Sequence, residues 1–194
     1  SDGMICCGWI IYEFDFGQIS SRSPKESPFF SGGAMKPMLS QLLVNLLYPF
    51  DPVVLDPFSG HGGFLREISA KGSFAIGLEI NWKLARENYN NNLFHGEHNC
   101  QVIVADALHQ PFRKESINQI VTDPPYAKQT TTIGRNPEVL IDAWLQGSSQ
   151  HKIIMSLPSY MDIKIPEQYT IKFEVEDIVH KSLTRVIRKL VSRN

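Results

Sequence analysis

Val53-Val-Leu-Asp-Pro-Phe-Ser-Gly-His-Gly-Gly-Phe64 is the stretch from which the fold can be read. A short apolar run, Val53 to Asp56, ends in an acid and runs straight into a glycine cluster. Phe64 to Ala70 then has the composition of a short helix. Strand, tight turn and helix in that order begin a crossover connection between parallel strands. Upstream, Met38, Leu39, Leu42, Leu43, Leu46 and Leu47 recur at spacings of three and four, a helical stripe. Pro37 suits its first turn, and Pro49 and Pro52 stop it. Downstream, Phe74 to Glu79 reads as a second strand, and Asn81 caps a helix running to about Phe94. Val102 to Val104, Ile117 to Thr122 and Lys152 to Leu157 read as further strands, with a helix over Pro137 to Leu145. The strand runs are apolar on both faces, as parallel strands covered by helices are. Tyr169 to Val179 and Leu183 to Val191, separated by Lys181-Ser182, predict an antiparallel hairpin that closes the sheet. The expected class is α/β: a mostly parallel seven-stranded sheet with helices on both faces.

The 194 residues fit one domain of about 100–200 residues. Residues 1–34 read as an extension or edge segment, with a strand at Trp9 to Phe16 and a Ser/Pro-rich loop over 20–28; residues 35–194 read as the domain proper. Hydrophobic residues at 42% and charged residues at 20% exclude a disordered chain. A net charge of -1 provides no global basic field, so binding to nucleic acid needs a local patch or a partner. Three cysteines, Cys6, Cys7 and Cys100, match neither a disulfide framework nor a zinc pattern. The apolar stretches are too short to span a bilayer, and the first residues carry no basic leader. A cytoplasmic protein with no metal and no membrane is the expectation.

Chemistry concentrates where strands end. Glycines after Asp56 let the backbone turn and approach a ligand, at the sheet rim where open α/β sheets bind. The pattern is neither the dinucleotide fingerprint, since Leu65 stands in place of the third glycine, nor a phosphate loop. An acid before the glycines repels a pyrophosphate but suits an ammonium group. A plain structural turn serves equally for the glycines alone. Glu79, about 20 residues on, ends the second strand at an offset where an acid holds ribose hydroxyls. Asp106 is expected to end the third strand and can accept from an exocyclic amine. Each acid singly also suits a turn or helix cap, but three in order are harder to ascribe to chance.

Thr122-Asp-Pro-Pro-Tyr126 follows the fourth strand. Its prolines fix the backbone and lack N–H donors, which leaves carbonyls free as acceptors. With the Asp123 carboxylate and the flat ring of Tyr126, the segment matches a planar base bearing an amino group. A rigid Pro-Pro turn is the bland alternative.

Together, Asp56 to Gly63, Glu79, Asp106 and Asp123-Pro-Pro-Tyr126 resemble the ordered motifs of class I S-adenosylmethionine-dependent methyltransferases. Ser27-Pro-Phe-Phe-Ser-Gly-Gly-Ala-Met-Lys-Pro37 and Val179-His-Lys-Ser-Leu-Thr-Arg185 narrow the resemblance to the tRNA guanosine N2-methyltransferases, which act at position ten of tRNA. The resemblance covers about residues 26–190. It implies a Rossmann-like fold and S-adenosyl-L-methionine as cofactor. Asp56, Gly60 and Gly62 would lie around its methionine part, Glu79 on the ribose and Asp106 on the adenine. Asp123 and the Pro124 carbonyl would orient the target amine, and Tyr126 would stack on guanine. Ser31-Gly32-Gly33 stands where the family usually has His-Pro-Gly, Ser59 and His61 where it has Cys and Thr, and Ala127 where Gly follows the Tyr. The family's N-terminal RNA-binding THUMP domain has no counterpart here, which implies a catalytic piece, a separate RNA-binding domain or a small activator subunit.

The chemistry follows from the residues. A sulfonium methyl is already activated, so positioning is the main task. Acceptors on the hydrogens of a guanine amine aid its attack, and Asp123 can take the released proton. Arg185, Arg188 and Lys189, with Lys181 and Arg193, concentrate positive charge near the C-terminus; with Arg22, Lys25 and Lys36 they are the candidates for RNA phosphates. A solvated hairpin face accounts for them equally. His180 reads as structural rather than catalytic, since nothing in the reaction demands it. The alternatives are a DNA adenine-N6 methyltransferase, for which residues 127–150 leave little room for target recognition, and a non-catalytic subunit binding RNA or a partner, which need not keep Asp123 to Tyr126.

Overall fold

A computed structural model describes residues 16–30, 34–113, 115–126 and 134–193. The strand expected at Trp9 to Phe16 lies outside these residues, save Phe16, which begins a short helix α1, Phe16–Ser20. A 3-10 turn at Pro24–Glu26 follows. Helix α2, Pro37–Asn45, has Pro37 at its first turn, where the missing N–H costs nothing. The strands are β1 Val53–Asp56, β2 Phe74–Glu79, β3 Cys100–Val104, β4 Gln119–Thr122, β5 Lys152–Pro158, β6 Tyr169–His180 and β7 Leu183–Ser192. The remaining helices are α3 Gly63–Ser69, α4 Trp82–Phe94 and α5 Pro137–Gly147. Asn81 and Asn136 cap α4 and α5 by accepting from backbone amides of the first turn.

The seven strands of the described residues form one sheet in the order β3-β2-β1-β4-β5-β7-β6. The first five in the sequence run parallel; β7 pairs antiparallel with both β5 and β6. Neighbouring positions of β1 explain why its run is apolar throughout. Val54 joins a core with Leu43 and Val44 of α2 and Leu65 and Ile68 of α3, while Leu55 joins a core with Ile141, Trp144 and Leu145 of α5 on the opposite face. From β1 the chain builds outward through β2 and β3, and β4 then attaches on the other side of β1. That reversal opens a crevice between the carboxyl ends of β1 and β4, where sheets of this kind bind ligands.

Two departures are local. The fourth strand begins at Gln119 rather than Ile117, and the Gln119 side-chain amide donates to Pro49 O at 2.6 Å and accepts from Asp51 N at 3.1 Å. With Lys152 Nζ on Leu47 O and Lys189 Nζ on Leu46 O, both at 2.7 Å, it satisfies carbonyls at the end of α2, a favourable place for cations. Residues 16–30 also pack closely on the domain. Arg22 makes a bidentate pair with the buried Glu67, at 3.0 and 3.1 Å, and Ser27 Oγ lies 2.9 Å from His95 Nε2. Among the described residues, no helix is long and apolar enough to cross a membrane.

Candidate active site

The β1–α3 turn is shaped by two left-handed glycines, Gly60 at φ 49° and Gly62 at φ 83°. A side chain is excluded at Gly62 for a second reason: a Cβ there would collide with Asn88 Oδ1. At Gly60 a Cβ meets nothing within 4 Å, because that residue faces the open cavity. Beneath the turn lies a row of asparagines on the inner face of α4. Asn88, Asn91 and Asn92 are at most 2% exposed. Asn88 Nδ2 donates to Ser59 Oγ at 3.0 Å, and Asn92 Nδ2 donates to Asn88 Oδ1 at 2.8 Å. Asn91 exchanges hydrogen bonds with both backbone groups of Phe29, at 3.1 and 2.9 Å. Ser59 Oγ itself donates to Leu78 O at 3.0 Å. Buried amides with partners lock a geometry, since an unpaired one costs about 1–3 kcal/mol.

A cavity of about 340 Å³ opens over this turn at the carboxyl ends of β1, β2 and β4. Its wall includes Asp56, Gly60, Glu79, Asp106, Asp123, Pro124 and Tyr126, seven of the residues singled out from the sequence. Gly62 is not in that wall; it supports the turn from beneath, against Asn88. Ser27, Phe29, Ala34 and Met35 close one side, so part of the Ser27 to Pro37 segment is cavity wall, while Ser31 to Gly33 and Ala127 lie outside the described residues.

The carboxylates differ in their surroundings. Asp56 accepts from Thr122 Oγ1 at 2.8 Å and from Phe58 N at 3.2 Å. Burial nevertheless pushes its carboxyl up to about 7. Glu79 is raised by burial too, against the amides of Asn81, Gly60 and Ile80 that stabilise its charge; Asn81 N lies 2.8 Å from Oε1. Asp106 sits beyond the end of β3, where it caps a 3-10 turn, Ala107–His109, through Leu108 N at 3.0 Å. Burial works upward on it, but the Leu108 amide and the Arg135 guanidinium, 2.9 Å away, hold its carboxyl below the usual range. Burial pushes Asp123 up to about 7, against the pull of Arg185 and the Ser156 hydroxyl, and its Oδ1 is buried without a hydrogen-bond partner. An orphaned acceptor in a cavity wall marks a place where a ligand donor fits.

The cations expected to form one phosphate-binding face are not brought together. Arg185 is only 6% exposed and donates to Tyr126 Oη in a long hydrogen bond of 3.5 Å. Arg188 pairs with Glu174 at 2.6 Å, and Lys189 is spent on the end of α2. Successive residues of a strand point to opposite faces, so Arg188 projects away from the side shared by Arg185 and Lys189. Arg22 likewise belongs to buried Glu67. His180 lies at the hairpin turn, where its Nδ1 accepts from Ser182 N at 3.3 Å.

Residues 24–154 match the family described as RMKL-like, methyltransferase domain. A tRNA (guanine(10)-N2)-dimethyltransferase of Methanothermobacter thermautotrophicus is 34% identical over 173 residues, covering 85% of this chain and 51% of the relative. One of the same description from Methanocaldococcus jannaschii is 31% identical, covering 84% and 48%. The chain thus spans about half the length of these curated relatives. Among solved structures, TrmN from Thermus thermophilus superposes with a TM-score of 0.72 at 20% identity, over 89% of this chain and 53% of that one; the likeness is one of fold.

Proposed function

Because the chain belongs to the RMKL-like methyltransferase domain family, we propose that it transfers a methyl group from S-adenosyl-L-methionine to the exocyclic N2 amine of a guanosine in tRNA. The observation that carries this reading is the buried, unpartnered Asp123 Oδ1 in the wall of a cavity also lined by Asp56, Glu79 and Asp106. The cavity fits the cofactor chemically. Asp56 suits the ammonium group, Gly60 lets the backbone approach, the Glu79 carboxylate suits the ribose hydroxyls, and Asp106 suits the adenine amine. When bound, the cofactor supplies an activated sulfonium methyl. The chain's own task is to orient the acceptor. Asp123 and the Pro124 carbonyl accept the two hydrogens of the amine, which directs its lone pair outward, and the Tyr126 ring stacks on the base. Asp123 then takes the proton released as nitrogen gains its methyl group. A carboxyl raised to about 7 is matched to that duty near neutral pH.

Recognition of tRNA is proposed from the two archaeal relatives named above. The setting is proposed to be cytoplasmic, with grip on tRNA supplied largely by a separate RNA-binding domain or a small activator subunit, because these residues carry a net charge of -1. The test is transfer of labelled methyl from the cofactor to tRNA, to duplex DNA and to neither, with N2-methylguanosine as the nucleoside recovered. Label in N6-methyladenine of DNA, or none in either nucleic acid with an activator present, refutes the proposal.

A further inference from the structure

We propose that Arg66, a buried cation of the cavity wall that pairs with no acid among the described residues, receives the carboxylate of the cofactor's methionine part. This rests on the reading of the cavity as the cofactor site and adds a residue to it. The acids assigned above, Asp56, Glu79 and Asp106, answer an ammonium group, a pair of hydroxyls and an amine. The ligand's own carboxylate is left to be answered by a donor or a cation. Three side chains of the wall can carry positive charge: His61, Arg66 and Arg135. Arg135 is held by Asp106 at 2.9 Å, and His61 lies 3.3 Å from Glu87. Arg66 enters no ion pair among the described residues.

Arg66 is 2% exposed, and its Nε is buried without a hydrogen-bond partner. Its one hydrogen bond among the described residues is donated by Nη1 to His61 O at 3.2 Å. That carbonyl, which also accepts from Asn91 Nδ2 at 3.4 Å, belongs to the β1–α3 turn between Gly60 and Gly62. The guanidinium therefore stands against the turn assigned to the methionine part. Its neighbour Glu67 does not answer it, because Arg22 takes both oxygens of that carboxylate, at 3.0 and 3.1 Å. Two guanidinium groups thus share one buried acid, and a positive charge is left over. An uncompensated buried charge is costly. A planar fork of donors is matched to a carboxylate, which can take two parallel hydrogen bonds from it.

The test compares two ligands that differ in one group: S-adenosylmethionine and its decarboxylated form, which keeps the sulfonium and the ammonium. Both are titrated by calorimetry into the intact parent, Arg66→Gln and Arg66→Met, the last keeping the apolar stem if Gln folds poorly. Thermal unfolding without ligand follows the fold of each. The parent is expected to prefer the ligand with the carboxylate by about 10- to 100-fold. In the neutral variants that preference is expected to shrink by about tenfold or more, while affinity for the decarboxylated ligand stays near the parent's. Arg66→Lys, a point charge without the planar fork, is expected to recover part of it. An Arg66 that serves the fold alone would move the melting temperature and leave the preference unchanged. That result in a folded neutral variant, an equal loss of both ligands, or a parent with no preference overturns the proposal while the cofactor site stands. A parent that binds neither ligand overturns the site and Arg66 together.

Discussion

Replacing Asp123 with Asn separates what this carboxyl costs the fold from what it does in the site. Burial raises the group from 3.8 to about 7. At about 1.4 kcal/mol per unit, the folded protein bears on the order of 4 kcal/mol for ionising it. The sign follows from proton binding. Between pH 3.8 and about 7 the folded chain retains a proton that the unfolded chain releases, so stability falls as pH rises through that window and the full penalty is present above it. Asn is neutral at every pH. Whatever its packing costs, the stability of Asp123→Asn relative to the parent is expected to improve by about 3–4 kcal/mol between pH 4 and pH 8. For a chain of this length that is a relative gain of roughly 10 °C in melting temperature. The assay is thermal unfolding of both proteins, free of ligand, at pH 4, 6 and 8, beside calorimetric titration of the cofactor and single-turnover methyl transfer. Transfer is expected to be abolished and cofactor affinity nearly unchanged. A melting difference that is the same at pH 4 and pH 8 refutes the burial argument; loss of the cofactor with turnover preserved at saturation refutes the placement of Asp123 on the amine.

Glu79→Ala removes a carboxylate assigned to two hydroxyls and is expected to weaken cofactor binding by about 1.5–3 kcal/mol, read by calorimetry; undiminished affinity rejects the assignment. Tyr126→Phe is expected to keep most methyl transfer and Tyr126→Ala little, since a stacked base is worth about 1–3 kcal/mol. A Phe variant as inactive as the Ala variant would transfer the role to the hydroxyl. Gly62→Ala introduces a Cβ against Asn88 at a left-handed position and is expected to lower stability by about 2–4 kcal/mol, measured by denaturant unfolding. Gly60→Ala meets no atom but is strained at its left-handed φ of 49°, so it is expected to cost about 1–2 kcal/mol of stability, less than Gly62→Ala, and to weaken cofactor affinity besides.

Strands with both faces buried proved the easiest elements to read. β1 and β2 lie at their expected bounds, and the hairpin of β6 and β7 turns where Lys181-Ser182 said it would. Asp56, Glu79 and Asp123 were legible for the same reason: an acid that ends an apolar run has one place to go, the rim of the sheet. Asp106 was legible only in part, because β3 stops short of it and a 3-10 turn intervenes. Arg185 lies buried against Tyr126, which was not legible because charge in a sequence reads as solvent and nothing local to β7 says which of its faces meets Tyr126. The asparagine row of α4 carried a signal that was passed over. Asn88, Asn91 and Asn92 fall at the helical spacing of a buried face, where apolar residues are the rule, and polar residues there need partners from elsewhere in the chain. Those partners, Ser59 and Phe29, are 29 and 62 residues distant, beyond what periodicity reports.

The placement of β7 between β5 and β6 has a consequence in time. β6 is synthesised first, yet among the described residues its neighbour within the sheet is β7 alone. It therefore has nothing to pair with until the next strand has emerged and turned back. During synthesis the parallel half, β1 to β5, can assemble with the β5 edge bare, a register in which another strand could dock wrongly. The strand that covers this edge also delivers Arg185 to the Tyr126 hydroxyl. A nascent chain halted before β7 is then expected to hold the glycine turn with Asp56, Glu79 and Asp106 while its Tyr126 lacks the Arg185 contact. Cofactor retention by stalled chains of graded length, set against the methyl transfer each achieves, would resolve the two stages.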